Sequence, residues 1–147
     1  MKMTGRLILS CMMAFLLVFA VSFVVVAQDE GPETIVIKSP LWPEPTKAPV
    51  TFSHQKHAED YKIACDDCHH VYEGGKNVWE PGDPVQPCHE CHTNAVIQGE
   101  KKLPEAEQKL NLKLAYHDNC IGCHKKVKAE NKETTAPVTC TGCHPKE

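Results

Sequence analysis

The sequence has few of the side chains that usually fill a protein core. Its four Met residues lie within the first 13 positions, and three of its four Phe residues lie within the first 23. Leu, Ile, Val and Phe make up 19 of the 120 residues after position 27, which is about 16%. This fraction is below that of chains that fold on a core of their own side chains. We therefore expect something other than side chains to fill the interior.

Two further absences exclude whole classes of function. The chain has 16 Lys and Arg against 19 Asp and Glu, for a net charge of −3, so it has no basic excess for binding nucleic acid. It also has no Gly-rich loop of the kind that cradles phosphates. A length of 147 residues allows one domain.

The N-terminus carries an almost uninterrupted apolar run, Leu7–Ala27, which is preceded by Lys2 and Arg6. This pattern is typical of an export signal, and the small residues Val25 and Ala27 predict cleavage after position 27. The run has 21 residues, which is also enough to cross a bilayer, so a retained membrane anchor stays open. We expect residues 1–27 to be the signal or anchor, 28–48 a leader or linker, and 49–147 the functional domain.

Of the nine cysteines, Cys11 lies in the apolar run, where we interpret it as a small buried hydrophobe. The other eight all fall in four copies of the pattern Cys-x-x-Cys-His. The copies are Cys65–His69, Cys88–His92, Cys120–His124 and Cys140–His144. Because a random chain of this composition would contain about 0.03 such matches, the repeat is a specific signal.

Each copy has the residues needed to attach one haem covalently. The two thiols, one helical turn apart, add to the two vinyl groups, and the imidazole that follows reaches the iron. Four disulfides or paired zinc knuckles are the alternatives for an exported chain. Neither requires a histidine directly after the second cysteine. We therefore predict four covalent haem c groups, attached at Cys65, Cys68, Cys88, Cys91, Cys120, Cys123, Cys140 and Cys143.

Four haems need eight axial ligands, and the histidines of the four copies supply half of them. No Met follows position 13, so histidine is the natural choice for the rest. Five histidines remain, and His89 is the expected spare because it lies between the two cysteines of its own copy, although it could still bind a neighbouring iron. The predicted axial ligands are His54, His57, His69, His70, His92, His117, His124 and His144.

Filling every axial position with histidine leaves no open iron site for a substrate. We therefore predict an electron carrier and not an enzyme, while a reductase with one exchangeable ligand is the alternative. The adjacent His69 and His70 would diverge by about 100° on a helix, so they should serve different irons. His54 and His57, which would lie on one helical face, should also bind different irons.

The segment Pro49–His57, followed by Cys65–His70, resembles the class III c-type cytochromes, the tetrahaem cytochrome c3 family. The resemblance covers about residues 46–147 and includes the order of all four attachment copies. It implies a small, mostly helical and irregular multihaem fold in which four haems form the core, with a short N-terminal β-hairpin. It also implies that Phe52 packs between haems. The ligand pairs that it implies are His54 with His69, His70 with His92, His57 with His124, and His117 with His144.

The family also suggests a setting and partners. After position 27 the side chains carry 14 Lys against 19 acids, a balance of −5. This resembles the acidic, membrane-complex-associated members. The resemblance implies a periplasmic, low-potential carrier in anaerobic, sulfate-type respiration. Its donor would be hydrogenase or another cytochrome, and its acceptor a membrane redox complex. A membrane-anchored subunit of such a complex is the alternative if Leu7–Ala27 is retained.

Charge is uneven along the chain. Residues 28–100 have a balance of −8, whereas residues 101–147 have a balance of +3 and include Lys125, Lys126 and Lys128 just after His124. This lysine cluster could orient a redox partner as it approaches. A solvated surface with no docking role is an equally good interpretation.

Local patterns predict a few regular elements. We expect a strand at Thr34–Ile37, and a strand at Val50–Phe52 that pairs with residues near Val71 and Tyr72, with a turn at Gly74–Gly75.

A helix should begin at Pro104, with Leu103, Leu110, Leu114 and His117 on one face. Prolines at 81, 84 and 87 exclude a helix before Cys88.

Overall fold

The computed structural model describes residues 31–146, so the predicted signal or anchor and Cys11 lie outside the described residues. The strands are β1 (Ile35–Ile37), β2 (Val50–Phe52), β3 (Tyr72–Glu73) and β4 (Lys76–Asn77). The helices are α1 (Glu105–Lys109), α2 (Leu112–Glu130) and α3 (Cys140–Cys143). Short helical turns lie at Lys56–Asp60, Cys65–Asp67, Cys88–Glu90 and Glu100–Lys102. Within these bounds no helix has both the length and the hydropathy to cross a membrane.

The predicted strand at Val50–Phe52 forms, but its expected partner near Val71 is wrong. β2 pairs antiparallel with β1, with Ile35 opposite Phe52 and Ile37 opposite Val50. Val71 cannot take that place because its amide donates to Oδ1 of Asn77 (3.0 Å), at the base of a separate hairpin. The N-terminal hairpin is therefore built from residues 35–52.

The predicted turn at Gly74–Gly75 is confirmed and joins β3 to β4. Both glycines have positive φ, +57° and +82°, as a two-residue hairpin turn of this hand requires. Asn77 closes the hairpin because its Nδ2 donates to the carbonyl of His69 (3.1 Å). This small hairpin therefore fixes the backbone just after the first Cys-x-x-Cys-His copy.

Part of the segment expected to be a leader or linker over 28–48 makes specific contacts. β1 pairs with β2, and the indole Nε1 of Trp42 donates to the carbonyl of Ala95 (3.0 Å). These contacts hold residues 35–42 against two distant parts of the chain.

The helix expected from Pro104 is two helices, α1 and α2, separated at Asn111. Asn111 has an extended backbone (φ −80°, ψ 118°), and its side chain accepts from the amide of Leu114 (2.9 Å) as an N-cap. The amide of Leu112 donates to the carbonyl of Asn94 instead of continuing the first helix. As a result Leu110 is 49% exposed, so the predicted leucine face is wrong at that position, whereas Leu114 is buried.

The side-chain core is very small. Among the described residues, the buried apolar side chains are Trp79, Leu112 and Leu114. Asn111 is also fully buried, and its Nδ2 donates to Oδ1 of Asn94 (3.0 Å) and to the carbonyl of Val96 (2.8 Å). Three apolar side chains cannot supply the core of a domain of this length. This agrees with the expectation that side chains alone do not fill the interior.

Candidate metal centres

Each Cys-x-x-Cys-His copy forms one helical turn. The amide of the histidine donates to the carbonyl of the first cysteine in three of them, at 2.8 Å for His69, 2.9 Å for His92 and 2.7 Å for His144. The third copy lies inside α2. A backbone turn of this kind places two thiols and one imidazole close together, as covalent attachment of a planar cofactor requires.

The Cys120 thiol lies near cysteines of the other three copies. Burial, together with the neighbouring Cys68, Cys143 and Cys88, raises the pKa of Cys120 to about 11. These neighbours come from the first, fourth and second copies. None of the eight cysteines in these copies forms a disulfide, and six of them are exposed to solvent.

The structure brings together histidines that are distant in sequence. In the first pair, the ring centroids of His54 and His69 lie 6.2 Å apart, with 60° between the ring planes. In the second pair, His70 and His92 are 6.0 Å apart at 89°. In the third pair, His57 and His124 are 6.2 Å apart and nearly parallel, at 25°.

The fourth predicted pair, His117 and His144, is close enough for the two side chains to interact electrostatically. Burial lowers the pKa of His117, and the charges of Lys113 and His144 lower it further. His144 is therefore close enough to act electrostatically on His117. A lowered pKa keeps an imidazole neutral, which is the form that binds a metal.

The spacing of the first three pairs fits one metal ion between two imidazoles. With a metal–nitrogen bond of about 2 Å and roughly 1 Å from each nitrogen to its ring centroid, two rings on opposite sides of an ion have centroids about 6 Å apart. The observed distances are 6.0–6.2 Å. The spacing is therefore compatible with one metal ion between the two rings of each pair.

Four of the paired histidines are fixed by hydrogen bonds from Nδ1 to main-chain carbonyls. The acceptors are Ser53 for His57 (2.8 Å), Lys109 for His92 (2.9 Å), Pro137 for His124 (2.7 Å) and Ala48 for His144 (2.7 Å). A carbonyl oxygen only accepts, so Nδ1 must carry the proton in each case. This leaves the Nε2 lone pair free, and such a bond also makes the imidazole a more basic ligand.

The first pair is built differently. Nδ1 of His54 is buried, and no group in the described part of the chain accepts its proton. Across the pair, the indole of Trp79 packs on His69 with centroids 5.0 Å apart and 32° between the planes. The Nε1 of this buried Trp79 also has no partner among residues 31–146. Burial lowers the pKa of His69, and the neighbouring His54 and His70 lower it further.

Phe52 contacts one histidine from each of two pairs. Its ring is 4.6 Å from that of His57 and 6.0 Å from that of His54, measured between centroids. Phe52 is the last residue of β2, so the N-terminal hairpin places this aromatic ring beside the first and third pairs.

His89, the expected spare, stays apart from these ring pairs. Its Nε2 lies 3.6 Å from Oε1 of Glu90. In residues 31–146, no three His, Cys, Asp or Glu side chains converge on one point as ligands of a single metal ion.

Sequence reasoning missed the groups that hold the ligands. The four carbonyl acceptors carry no side-chain signal, so no pattern in the sequence could have identified them. Trp79 was missed, although a large aromatic residue close behind His69 and His70 was a usable signal. Tyr116 was also missed. Burial and a hydrogen bond with Cys88 raise its pKa, so its phenol stays neutral beside the second attachment turn.

Comparison with known proteins identifies relatives over most of the chain. Residues 32–144 match the model of the class III cytochrome C family. Cytochrome c3 from Maridesulfovibrio salexigens is 33% identical over 118 residues, covering 80% of this chain and 98% of the relative. Cytochrome c3 from Desulfovibrio desulfuricans is 35% identical over 124 residues, with the same coverages. Cytochrome c3 from Nitratidesulfovibrio vulgaris is 30% identical over 102 residues, covering 65% of this chain and 58% of the relative.

Proposed function

The chain belongs to the class III cytochrome c family, whose members bind covalent haem c and carry electrons, and we propose that it is a four-haem periplasmic carrier with two histidines on every iron. The spacing of the histidine pairs is the observation that carries this proposal. The spacing of three pairs is compatible with one iron between the rings, and each pair combines a histidine of a Cys-x-x-Cys-His copy with one from outside that copy. The fourth pair, His117 with His144, is supported by electrostatic proximity.

The ligand set assigns a role to each side chain. Haem supplies a one-electron iron couple that can be oxidised and reduced without a change of ligands. The cysteines of each copy would hold one haem by two thioether bonds, and the paired imidazoles would bind its iron. Filled axial positions exclude substrate from the metal, so the chain's task is to hold redox centres close together and set their potentials.

The second nitrogens of the ligands support a low reduction potential. His57, His92, His124 and His144 each donate from Nδ1 to a carbonyl, which raises the basicity of the ligand and favours the more positively charged, oxidised iron. Methionine ligation, which raises potential, is excluded beyond residue 13 because no Met occurs there. These two features together favour the low-potential end of the range.

For the cellular role, we propose that the carrier accepts electrons from a periplasmic hydrogenase or another cytochrome and passes them to a membrane redox complex in sulfate-type anaerobic respiration. The support is the acidic balance of the chain and its similarity to cytochromes c3 of three Desulfovibrio-type organisms. Lys125, Lys126 and Lys128 are exposed on α2 beyond His124, where they could contact an acidic partner.

A membrane-anchored subunit of the same kind of complex is the second candidate. The apolar run Leu7–Ala27 favours it, because 21 residues are enough to cross a bilayer. The electron-carrying domain would then be the same, and only its attachment to the membrane would differ.

The mass of the denatured protein, purified from an anaerobic host that attaches haem, tests the proposal. A mass of residues 28–147 plus four haems supports the exported carrier, and a mass that retains residues 1–27 supports the anchored form. Fewer than four haems contradicts the ligand assignment.

Carbon monoxide added to the reduced protein should leave the absorption spectrum unchanged. A spectral change requires an open or exchangeable iron site and would support a reductase instead.

A further inference from the structure

The backbone of Gly31 lies directly against the ring of His54. A Cβ built on Gly31 would come 3.0 Å from Cε1 and 3.3 Å from Nδ1 of His54, closer than ordinary van der Waals contact. Gly31 also has φ of +70°, a conformation that residues with a side chain adopt at a cost. Position 31 therefore requires glycine for two reasons, its positive φ and its close contact with the ring of His54.

Hydrogen bonds from Gln55 hold this contact in place. The side-chain Nε2 of Gln55 donates to the carbonyl of Gly31 (3.4 Å), and its amide donates to the carbonyl of Glu33 (3.3 Å). The pairing of β1 with β2 continues the same attachment along residues 35–37. The N-terminal segment is thus fixed to the residue that follows His54.

Gly31 also accounts for the missing hydrogen bond of His54. Where His57 and His124 of the third pair each donate from Nδ1 to a carbonyl, the Nδ1 of His54 is buried without an acceptor in the described residues. The closely packed Gly31 backbone covers this nitrogen but does not accept its proton. The first pair is therefore held by packing, with Gly31 against His54 and Trp79 against His69.

We propose that Gly31 is a positioning residue for His54, and that this contact sets the iron of the first pair at a higher reduction potential than the iron of the third pair. The inference rests on the proposed ligand assignment. An imidazole without an acceptor at Nδ1 is a less basic ligand, so it stabilises oxidised iron less than one that donates to a carbonyl. Second-shell hydrogen bonding is one of the main influences on haem potential.

The experiment compares Gly31→Ala with Gly99→Ala in the holoprotein. Gly99 has nearly the same φ, +75°, but a Cβ there would meet nothing within 4 Å. The two variants therefore share the backbone strain, and only the first presses on a ligand. Haem content by mass comes first, followed by the electron paramagnetic resonance of each oxidised site and a redox titration in which the four sites are resolved by nuclear magnetic resonance.

In the unmodified protein, the site assigned to His54 and His69 should have a higher reduction potential than the site assigned to His57 and His124. Gly31→Ala should retain four haems and move the resonance signals and potential of the first site only. Gly99→Ala should leave all four sites unchanged.

Three results would overturn the inference while leaving the carrier intact: a first site that titrates below the third, a Gly31→Ala variant with no change at any site, or equal shifts at all four sites. Loss of haem from the unmodified protein would instead contradict the ligand assignment. If Gly31→Ala does not fold, Gln55→Ala provides the second test, because it removes the hydrogen bond to Gly31 without adding an atom beside His54. It should change the potential of the first site only, by less than Gly31→Ala does.

Discussion

Nδ1 of His144 lies 2.7 Å from the carbonyl oxygen of Ala48, a residue 96 positions earlier in the chain. The last attachment turn is therefore oriented by the backbone that leads into β2. The same N-terminal region places Phe52 beside His54 and His57. Residues 48–57 thus contact proposed ligands from opposite ends of the described chain, so both proposed sites depend on the same short segment.

Replacing one ligand with methionine should change a single site. His57→Met substitutes a thioether for an imidazole in the third pair, and we expect the potential of that site to rise, because Met/His ligation raises haem potential. A site-resolved redox titration measures this. His89→Met is the matched control, because His89 has no ring partner of the kind that His57 has, and it should leave all four potentials unchanged. A shift in His89→Met would mean that His89 is a ligand.

Asn111→Ala should lower the free energy of unfolding strongly for a substitution that removes so few atoms. Asn111 is fully buried, caps α2 through Leu114 and donates to Asn94 and Val96. Loss of the cap costs about 1 kcal/mol, and the partners left unsatisfied bring the total to about 2–4 kcal/mol. Denaturant unfolding of the holoprotein measures the free-energy change.

Asn131→Ala tests whether that loss is specific to the buried cap. Asn131 is exposed at the other end of α2, where its Oδ1 accepts from the amide of Glu133 (3.0 Å). Its replacement should cost under about 0.5 kcal/mol, as for surface substitutions in general. Equal losses in the two variants would contradict the structural role given to Asn111.

The ion pair between Glu100 and Lys113 should make the free energy of unfolding depend on pH in the acidic range. Lys113 Nζ lies 2.7 Å from Oε1 of Glu100, whose side chain is only 12% exposed, and this hydrogen bond lowers the pKa of Glu100. Because the folded-state pKa is lowered, ionised Glu100 stabilises the fold above the ordinary carboxyl pKa of about 4.3. That stabilisation is lost as the pH falls through the folded-state pKa.

Glu100→Gln should therefore unfold more easily than the unmodified protein near neutral pH, and the difference should close below about pH 4. Glu105→Gln is the control, since Glu105 pairs with Lys109 but is 85% exposed, so its effect should be smaller. Urea titrations at several pH values give both curves. A difference that stays constant down to acid pH would show that the charge of Glu100 is not responsible.

If the lysine cluster docks an acidic redox partner, removing its charge should weaken the salt dependence of electron transfer. Changing Lys125, Lys126 and Lys128 together to Gln should slow association at low salt and flatten the dependence of the rate on ionic strength. Changing Lys38, Lys47 and Lys76 to Gln removes the same charge from exposed positions elsewhere. Equal effects in the two triple variants would indicate net charge alone, and no effect in the first would leave the cluster as a solvated surface.

The sequence predicted the attachment turns well because each depends on five adjacent residues. The Cys-x-x-Cys-His spacing requires one helical turn, and the hydrogen bonds from His69, His92 and His144 to their first cysteines confirm it. The Gly74–Gly75 turn was predictable for the same reason, since a positive φ at two successive positions is a local demand.

The elements that sequence reasoning predicted wrongly depend on distant contacts. Val50–Phe52 could pair with any short apolar strand, and nothing local favours Ile35–Ile37 over the region of Val71. The break at Asn111 depends on Asn94, which is 17 positions away and supplies both a backbone and a side-chain partner. The carbonyls that bind the histidine Nδ1 atoms were also beyond prediction, because any residue type can provide one.

The helix α2 joins two of the proposed redox centres in one rigid body. It carries His117 of the fourth pair and His124 of the third, with Cys120 and Cys123 between them. Seven residues on a helix are almost two full turns, so these ligands lie on nearly the same side, about 10 Å apart along the axis. Substitutions around either histidine can change the reduction potential of the iron that it would bind without altering this separation. The helix therefore fixes the distance over which an electron would tunnel between the two proposed centres. This distance changes only when residues are inserted or deleted.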